Sequence, residues 1–243
     1  MKIRVINPNT TLSMTEKIGA AARATASLSV TIEALSPDKG PVSIEGPYDE
    51  AYSVPGMLEL VREGGADGYI IACFDDPGLD AARAITAAPV IGIAEAAMHA
   101  ATMLGASFTI ITTLSRAIPV MENLALKYGF ERHLRRVRAA DFPVLALEDP
   151  ESGARTRLEH EIEHALNDDA PEAILLGCAG MADLTKALSS KYGLPVIDGV
   201  SAATALCEAM VRLGLPTSKR GFYAWPRHKP YAGDFARFAP PEH

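Results

Sequence analysis

Two stretches of this chain repeat each other, and that repeat restricts the fold more than any other feature. Gly68–Cys73 (GYIIAC) matches Ala173–Cys178 (AILLGC), each a short apolar run that ends on a cysteine. Pro89 stands sixteen residues after Cys73 and opens PVIG; Pro195 stands seventeen residues after Cys178 and opens PVID. An alanine-rich helical stretch follows each, Glu95–Met103 and Ser201–Arg212, and each copy closes on Leu-Gly, at Leu104-Gly105 and Leu213-Gly214. The openings correspond too: Ile3–Ile6 leads into Asn7-Pro8-Asn9-Thr10-Thr11, and Phe108–Ile111 leads into Thr112-Thr113-Leu114-Ser115. Matching segments in matching order describe one supersecondary unit used twice.

Within each copy, short apolar runs alternate with helical segments. Leu12–Ala24 reads as a helix after a threonine cap, Val30–Leu35 as a strand, and Met57–Glu63 as the end of a helix closed by Gly64-Gly65. Tyr69–Ala72 and Pro89–Ile93 read as strands buried on both faces. Helices are expected over Asp75–Ala87 and Gly180–Ser190, directly after the two cysteines. Strand–helix alternation of this kind points to an α/β fold with parallel sheets. The expectation is two similar Rossmann-like (flavodoxin-like) lobes related by a pseudo-twofold, with the active site in the cleft between them. Residues 1–97 would form the first lobe, completed by the C-terminal segment 200–243, and residues 98–199 the second.

Ligands of open α/β sheets bind beyond the carboxyl ends of the strands. Both repeat-related cysteines stand at such ends, one per lobe, so facing lobes would bring two thiols to one cleft from opposite sides. That arrangement suits inversion of a carbon centre by proton transfer. A base removes the proton from one face, an acid delivers one to the other, and in the reverse direction the roles exchange, so the two groups should be chemically alike. Helices beginning directly after Cys73 and Cys178 would lower both thiols through their positive ends, leaving one thiolate and one thiol near neutral pH. The intermediate is an enolate, whose oxygen needs donors already aimed at it. Backbone N–H groups at Phe74-Asp75 and Ala179-Gly180 are candidates, as are the loops after the first strand of each lobe, with Asn7, Pro8, Asn9, Thr10, Thr112 and Thr113. No Arg or Lys lies in these loops or beside Ser43 and Glu45 to clamp a carboxylate, which favours a neutral imide or ureide ring.

The motifs Asn7–Thr11 (NPNTT), Ser43–Gly46 (SIEG), Cys73–Leu79 (CFDDPGL), Pro89–Ala97 (PVIGIAEAA), Gly177–Met181 (GCAGM), Val196–Ala203 (VIDGVSAA) and Thr217–Lys219 (TSK) together resemble the hydantoin racemases of the aspartate/glutamate racemase superfamily. The Gly-Val-Ser variant is most similar to allantoin racemases. The likeness runs from about residue 2 to 220. It implies two Rossmann-like lobes, no cofactor and no metal, a homo-oligomer, and Cys73 and Cys178 as catalytic acid and base. Pro8, Asn9, Ser43, Phe74, Asp75, Thr112, Thr113, Ala179 and Gly180 would hold the substrate. One departure stands out: Asp76 occupies a loop position where glycine is expected. In the related arylmalonate decarboxylases the first cysteine is absent, and its presence here argues against that activity.

Composition narrows the remaining choices. A formal charge of −7, from 23 basic and 30 acidic residues, gives no footprint for nucleic acid or anionic lipid. No apolar stretch approaches membrane-spanning length, the opening MKIRVINPNT reads as a strand rather than a leader, and three cysteines do not make a disulfide scaffold. A cytoplasmic protein follows. His160-Glu161-Ile162-Glu163-His164 fits the H-E-x-x-H pattern but lies in a charge-dense segment that reads as a solvated helix face. Cys207, without a repeat partner, reads as packing, and His99 as core or interface. Tyr48 could flank the cleft, and Glu45 could orient a substrate N–H or serve as a loop cap. The aromatic tail from Pro216 reads as an arm packed on its own body or on a neighbour. Rival functions are a maleate isomerase or amino-acid racemase on the same thiol pair, or a non-catalytic binding or redox protein.

Overall fold

The computed structural model describes residues 1–149 and 151–241. Its first sheet contains β1 (Lys2–Ile6), β2 (Thr31–Leu35), β3 (Gly68–Ile71) and β4 (Val90–Gly92) in the order β2-β1-β3-β4. The second contains β5 (Phe108–Thr112), β6 (Leu134–Ala139), β7 (Ala173–Leu176) and β8 (Val196–Asp198) in the order β6-β5-β7-β8. Every pairing is parallel and the two orders are the same, so the repeat read in the sequence is a repeat of topology. The central strands are buried along their whole length: all four residues of β3 and of β7 are inaccessible. That is why these segments read as continuous apolar runs rather than alternating ones.

Helices α1 (Leu12–Thr25), α2 (Pro47–Arg62), α3 (Leu79–Ile85) and α4 (Ile93–Leu104) belong to the first half of the chain, and α5 (Ile118–Tyr128), α6 (Ala154–Asp168), α7 (Thr185–Tyr192) and α8 (Gly199–Arg212) to the second. The last helix of each half crosses over. α4 leaves β4 and lies against β7 and β8, while α8 leaves β8 and lies against β3, β4 and α1; the two helices also pack on each other. Their small residues allow the approach: a Cβ on Gly199 would stand 2.4 Å from the Ile93 carbonyl oxygen. One apolar cluster consequently runs through both lobes, from Ile3, Val5 and Ile70 to Phe108, Ile110 and Leu175.

The helices expected directly after the cysteines begin later than the sequence suggested. Residues 73–78 form a turn, with Asp76 at φ 45° and Gly78 at φ 64°, so α3 starts only at Leu79. Left-handed residues cannot belong to the first turn of an α-helix. After Cys178 the chain makes a 3-10 segment, Ala179–Leu184, before α7. The left-handed Asp76 also explains why glycine is the natural expectation there.

Among the described residues no helix is long and apolar enough to cross a membrane. The C-terminal arm packs on its own body. Thr217 donates backbone and hydroxyl hydrogen bonds to the carbonyls of Ala87 and Ala88 (2.8 Å each), Tyr223 donates to Asp80 (2.9 Å), and Arg237 pairs with Glu59 (2.8 Å).

Candidate active site

Each cysteine stands two residues past the end of its lobe's central strand, and one repeated hydrogen bond sets its position. The Ala72 N–H donates to the Ile6 carbonyl (2.8 Å), and the Gly177 N–H donates to the Ile111 carbonyl (2.8 Å). These bonds extend each strand pairing by one residue and seat the cysteine beside the loop that follows β1 or β5. Gly177 is tightly enclosed: an added Cβ would lie 3.1 Å from both the Ile111 carbonyl oxygen and the Ile110 side chain.

The two thiols face one cleft between the lobes, with about 520 Å³ of atom-free space that is partly open to solvent. The first lobe supplies Asn9, Met14, Ile44, Glu45, Gly46 and Ala72–Asp75; the second supplies Thr112–Leu114, Ala117, Met121, Val144 and Gly177–Ala179. Of the binding residues expected from sequence, Asn9, Phe74, Asp75, Thr112, Thr113 and Ala179 lie on these walls, whereas Pro8, Ser43 and Gly180 do not. Pro8 is buried. Ser43 turns to Glu45 (hydroxyl to Oε1, 3.3 Å), and the Gly180 N–H is taken by the Cys178 sulfur. Asn9 spends its carboxamide inside its own loop, accepting from Thr11 N–H and Asn7 Nδ2 at 2.9 Å each. The apolar wall of Met14, Ile44, Leu114, Ala117, Met121 and Val144 was not anticipated, because such residues are indistinguishable from core in a sequence. Tyr48 is exposed and lies outside the cleft.

Electrostatics differ from the sequence expectation. Burial is the largest influence on both sulfurs and pushes both up, Cys73 well above the ordinary thiol range and Cys178 to about 11. The charge of Asp75 adds to the rise in each case, and Glu148 and Glu45 also act on Cys178. Without a helix start at either position, the opposing help is one backbone N–H per sulfur, from Asp75 to Cys73 and from Gly180 to Cys178. Those two N–H groups, expected as oxyanion donors, therefore serve the thiols. Asp75 itself is raised to about 7, chiefly by burial and secondly by Glu50. No Lys or Arg is among the lining residues; Arg116 stands exposed at the rim against Gly46.

The family model for Asp/Glu/Hydantoin racemase matches residues 3–207. The chain belongs to the Asp/Glu/hydantoin racemase family. A hydantoin racemase of Rhizobium meliloti is 50% identical over 236 residues, covering 96% of this chain and 98% of that protein. One of Pseudomonas sp. strain NS671 is 46% identical over 242 residues, covering 98% and 97%. The solved allantoin racemase of Klebsiella pneumoniae superposes with a TM-score of 0.95 at 49% identity and covers 99% of each chain. This member of the racemase family is accordingly an isomerase, and the repeat of its two lobes sets one thiol on each wall of the cleft.

The other motifs lie elsewhere on the racemase fold. His160, Glu161 and His164 bring their ligand atoms within 4.8 Å on α6, but Glu161 pairs with Arg138 (3.8 Å) and none of the three lines the cleft. Cys207 is fully buried, its sulfur 3.9 Å from the Tyr69 carbonyl oxygen. His99 packs edge-on against Phe130, with ring centroids 4.8 Å apart.

Proposed function

We propose that the chain racemises 5-substituted hydantoins or allantoin at C5 by proton transfer between Cys73 and Cys178, with no cofactor. The observation that carries this reading is the pair of repeat-related thiols lining one cleft. One thiolate takes the C5 proton, the electron pair passes to the C4 carbonyl as an enolate, and the opposite thiol returns a proton to the other face. A raised thiol is ionised less often, but its thiolate is a stronger base, which suits a weakly acidic C–H. The Thr113 side chain and the backbone N–H groups of Phe74 and Ala179 remain as donors for the enolate oxygen. Lining residues without Lys or Arg favour a neutral ring over an amino acid or dicarboxylate, and both hydantoins and allantoin are neutral rings. Homo-oligomerisation is proposed from the family resemblance, and a cytoplasmic location from three free thiols that stay reduced there.

Polarimetry on (S)-allantoin and on the single enantiomers of 5-benzyl- and 5-isobutylhydantoin tests this directly. Rotation should decay to zero in enzyme dialysed against chelator. Cys73→Ser and Cys178→Ser should each lower racemisation by about 10³-fold or more. Each variant should still exchange the C5 proton of one enantiomer, and not the same one, with deuterated solvent. Retention of racemisation in either variant would refute the two-thiol scheme.

A further inference from the structure

Glu45 is a carboxylate on a cleft wall that carries no cationic side chain. Its Oε1 is committed across the cleft, accepting the backbone N–H of Val144 (3.0 Å) and the hydroxyl of Ser43 (3.3 Å), while its own N–H donates to Asp49 (3.0 Å). Among the described residues none donates to Oε2. A partly buried carboxylate oxygen without a donor is costly unless something in the occupied site supplies one. Water can reach Oε2 in the open cleft, but a ring seated there displaces it and must supply a donor in its place, and the ring proposed above brings N–H groups. Which N–H is set by place: Glu45 lines the same small cleft as Cys178, the thiol that must reach C5, and the N–H bonded to C5 is the ring donor that lies beside that carbon.

We propose that Glu45 is a specificity-determining residue that accepts the N–H adjoining the reacting carbon, N1–H of the ring, while Val144 holds its other oxygen. This deepens the functional reading and rests on it. Such a contact is made alike before and during proton transfer, so it acts on substrate capture more than on the chemical step. It also excludes isosteres in which that N–H is replaced by oxygen, because two acceptors would then face each other.

The test compares 5-benzylhydantoin with 5-benzyl-oxazolidine-2,4-dione, in which a ring oxygen replaces N1–H, in wild type and in Glu45→Gln. Rates are taken above the spontaneous background. Wild type should prefer the hydantoin by about 10²-fold in kcat/KM. In Glu45→Gln the amide oxygen can keep the Val144 bond while the amide N–H₂ donates to the ring oxygen. KM for the hydantoin should therefore rise about tenfold, with kcat little changed on the alkaline side of the pH–rate profile, where the loss of a negative charge near Cys178 no longer matters, and the preference should shrink at least tenfold. Glu45→Ala, which removes acceptor and donor together, should lose the hydantoin without gaining the oxygen analogue. If Glu45→Gln is folded by thermal melt and both substrates fall equally, Glu45 is only a tie between the lobes and the inference is overturned. If wild type racemises no hydantoin and no allantoin, it is the functional reading that fails.

Discussion

At the scale of single residues, the cleft places a titrating carboxylate next to two thiols that burial already holds high. Asp75 is raised to about 7, and its charge acts on Cys73 and Cys178 alike. A base whose folded-state pKa is raised is protonated at neutral pH and gains activity as pH rises. Racemisation by kcat/KM should climb from pH 7 toward pH 10. Asp75→Asn removes a negative neighbour from both sulfurs and should move that rising limb to lower pH, raising kcat/KM at pH 7 by about 3-fold to 10-fold. Part of the gain is offset because a less basic thiolate is a weaker base, so the position of the limb is the sharper readout. A pH–rate profile that keeps its shape and only drops in height would instead mean that Asp75 holds the substrate. The places of Cys73 and Cys178 on one cleft were legible in the sequence because the repeat marks them, whereas Asp75 reads there only as a backbone N–H donor and not as a carboxylate beside both thiols. The direction of the thiol shift was not legible, because burial sets it and only the folded cleft shows how deeply each sulfur is enclosed; the helix dipoles expected to oppose it are missing because α3 starts at Leu79 and a 3-10 segment follows Cys178.

At the scale of elements, the two copies begin their crossing helices in different ways. Asp198 caps α8 itself, accepting the Ser201 N–H (2.7 Å) and the Thr185 hydroxyl (3.3 Å). Gly92 holds the equivalent place before α4, where a Cβ would lie 2.4 Å from the Asp76 carboxyl carbon. Asp76 does the capping there, accepting from Ala94 N–H (3.1 Å), Glu95 N–H (3.0 Å) and, from the second lobe, the Tyr128 hydroxyl (2.8 Å). The cysteine loop, the α4 start and α5 are thus joined at one carboxylate, which explains how an aspartate serves where glycine was expected. Tyr128→Phe should cost about 1 kcal/mol. Asp76→Gly keeps the backbone conformation but leaves the cap open and should cost about 1–2 kcal/mol. Asp76→Ala should be worst, because a Cβ in the left-handed region adds about 1 kcal/mol or more. Denaturant melts that rank alanine above glycine would contradict this account. Burial raises Asp76 to about 7, so folding favours its protonated form. That contribution is full below the ordinary carboxylate range and is lost as pH rises toward 7. The stability gap between wild type and Asp76→Gly should therefore narrow from pH 5 to pH 8.

At the scale of the whole molecule, the exchanged helices make each sheet depend on the other half of the chain. β3 and β4 are covered by α8, whose residues follow β8, and β7 and β8 are covered by α4, whose residues follow β4. Hydrophobic periodicity tells which face of such a helix is buried but not which sheet it is buried against; the sequence reading assigns segment 200–243, and with it α8, to the first lobe, but cuts through α4 at residue 97 and misses that α4 crosses to the second sheet. The energetic consequence is that neither lobe can lose its sheet without exposing a helix face that belongs to the other, and the cleft between them inherits its geometry from that shared core. A single unfolding transition is expected, with calorimetric and van't Hoff enthalpies equal. Gly199→Ala tests it at the crossing point, because the new methyl would stand 2.4 Å from the Ile93 carbonyl oxygen and the backbones would have to part. The overpacking should cost about 2 kcal/mol, a fall of roughly 4–8 °C in Tm. Because the strain acts on α4 and α8 together, the transition should stay single and move as a whole. Two resolved transitions, only one of them shifted, would show that the lobes are stabilised separately and that the crossing carries no coupling between them.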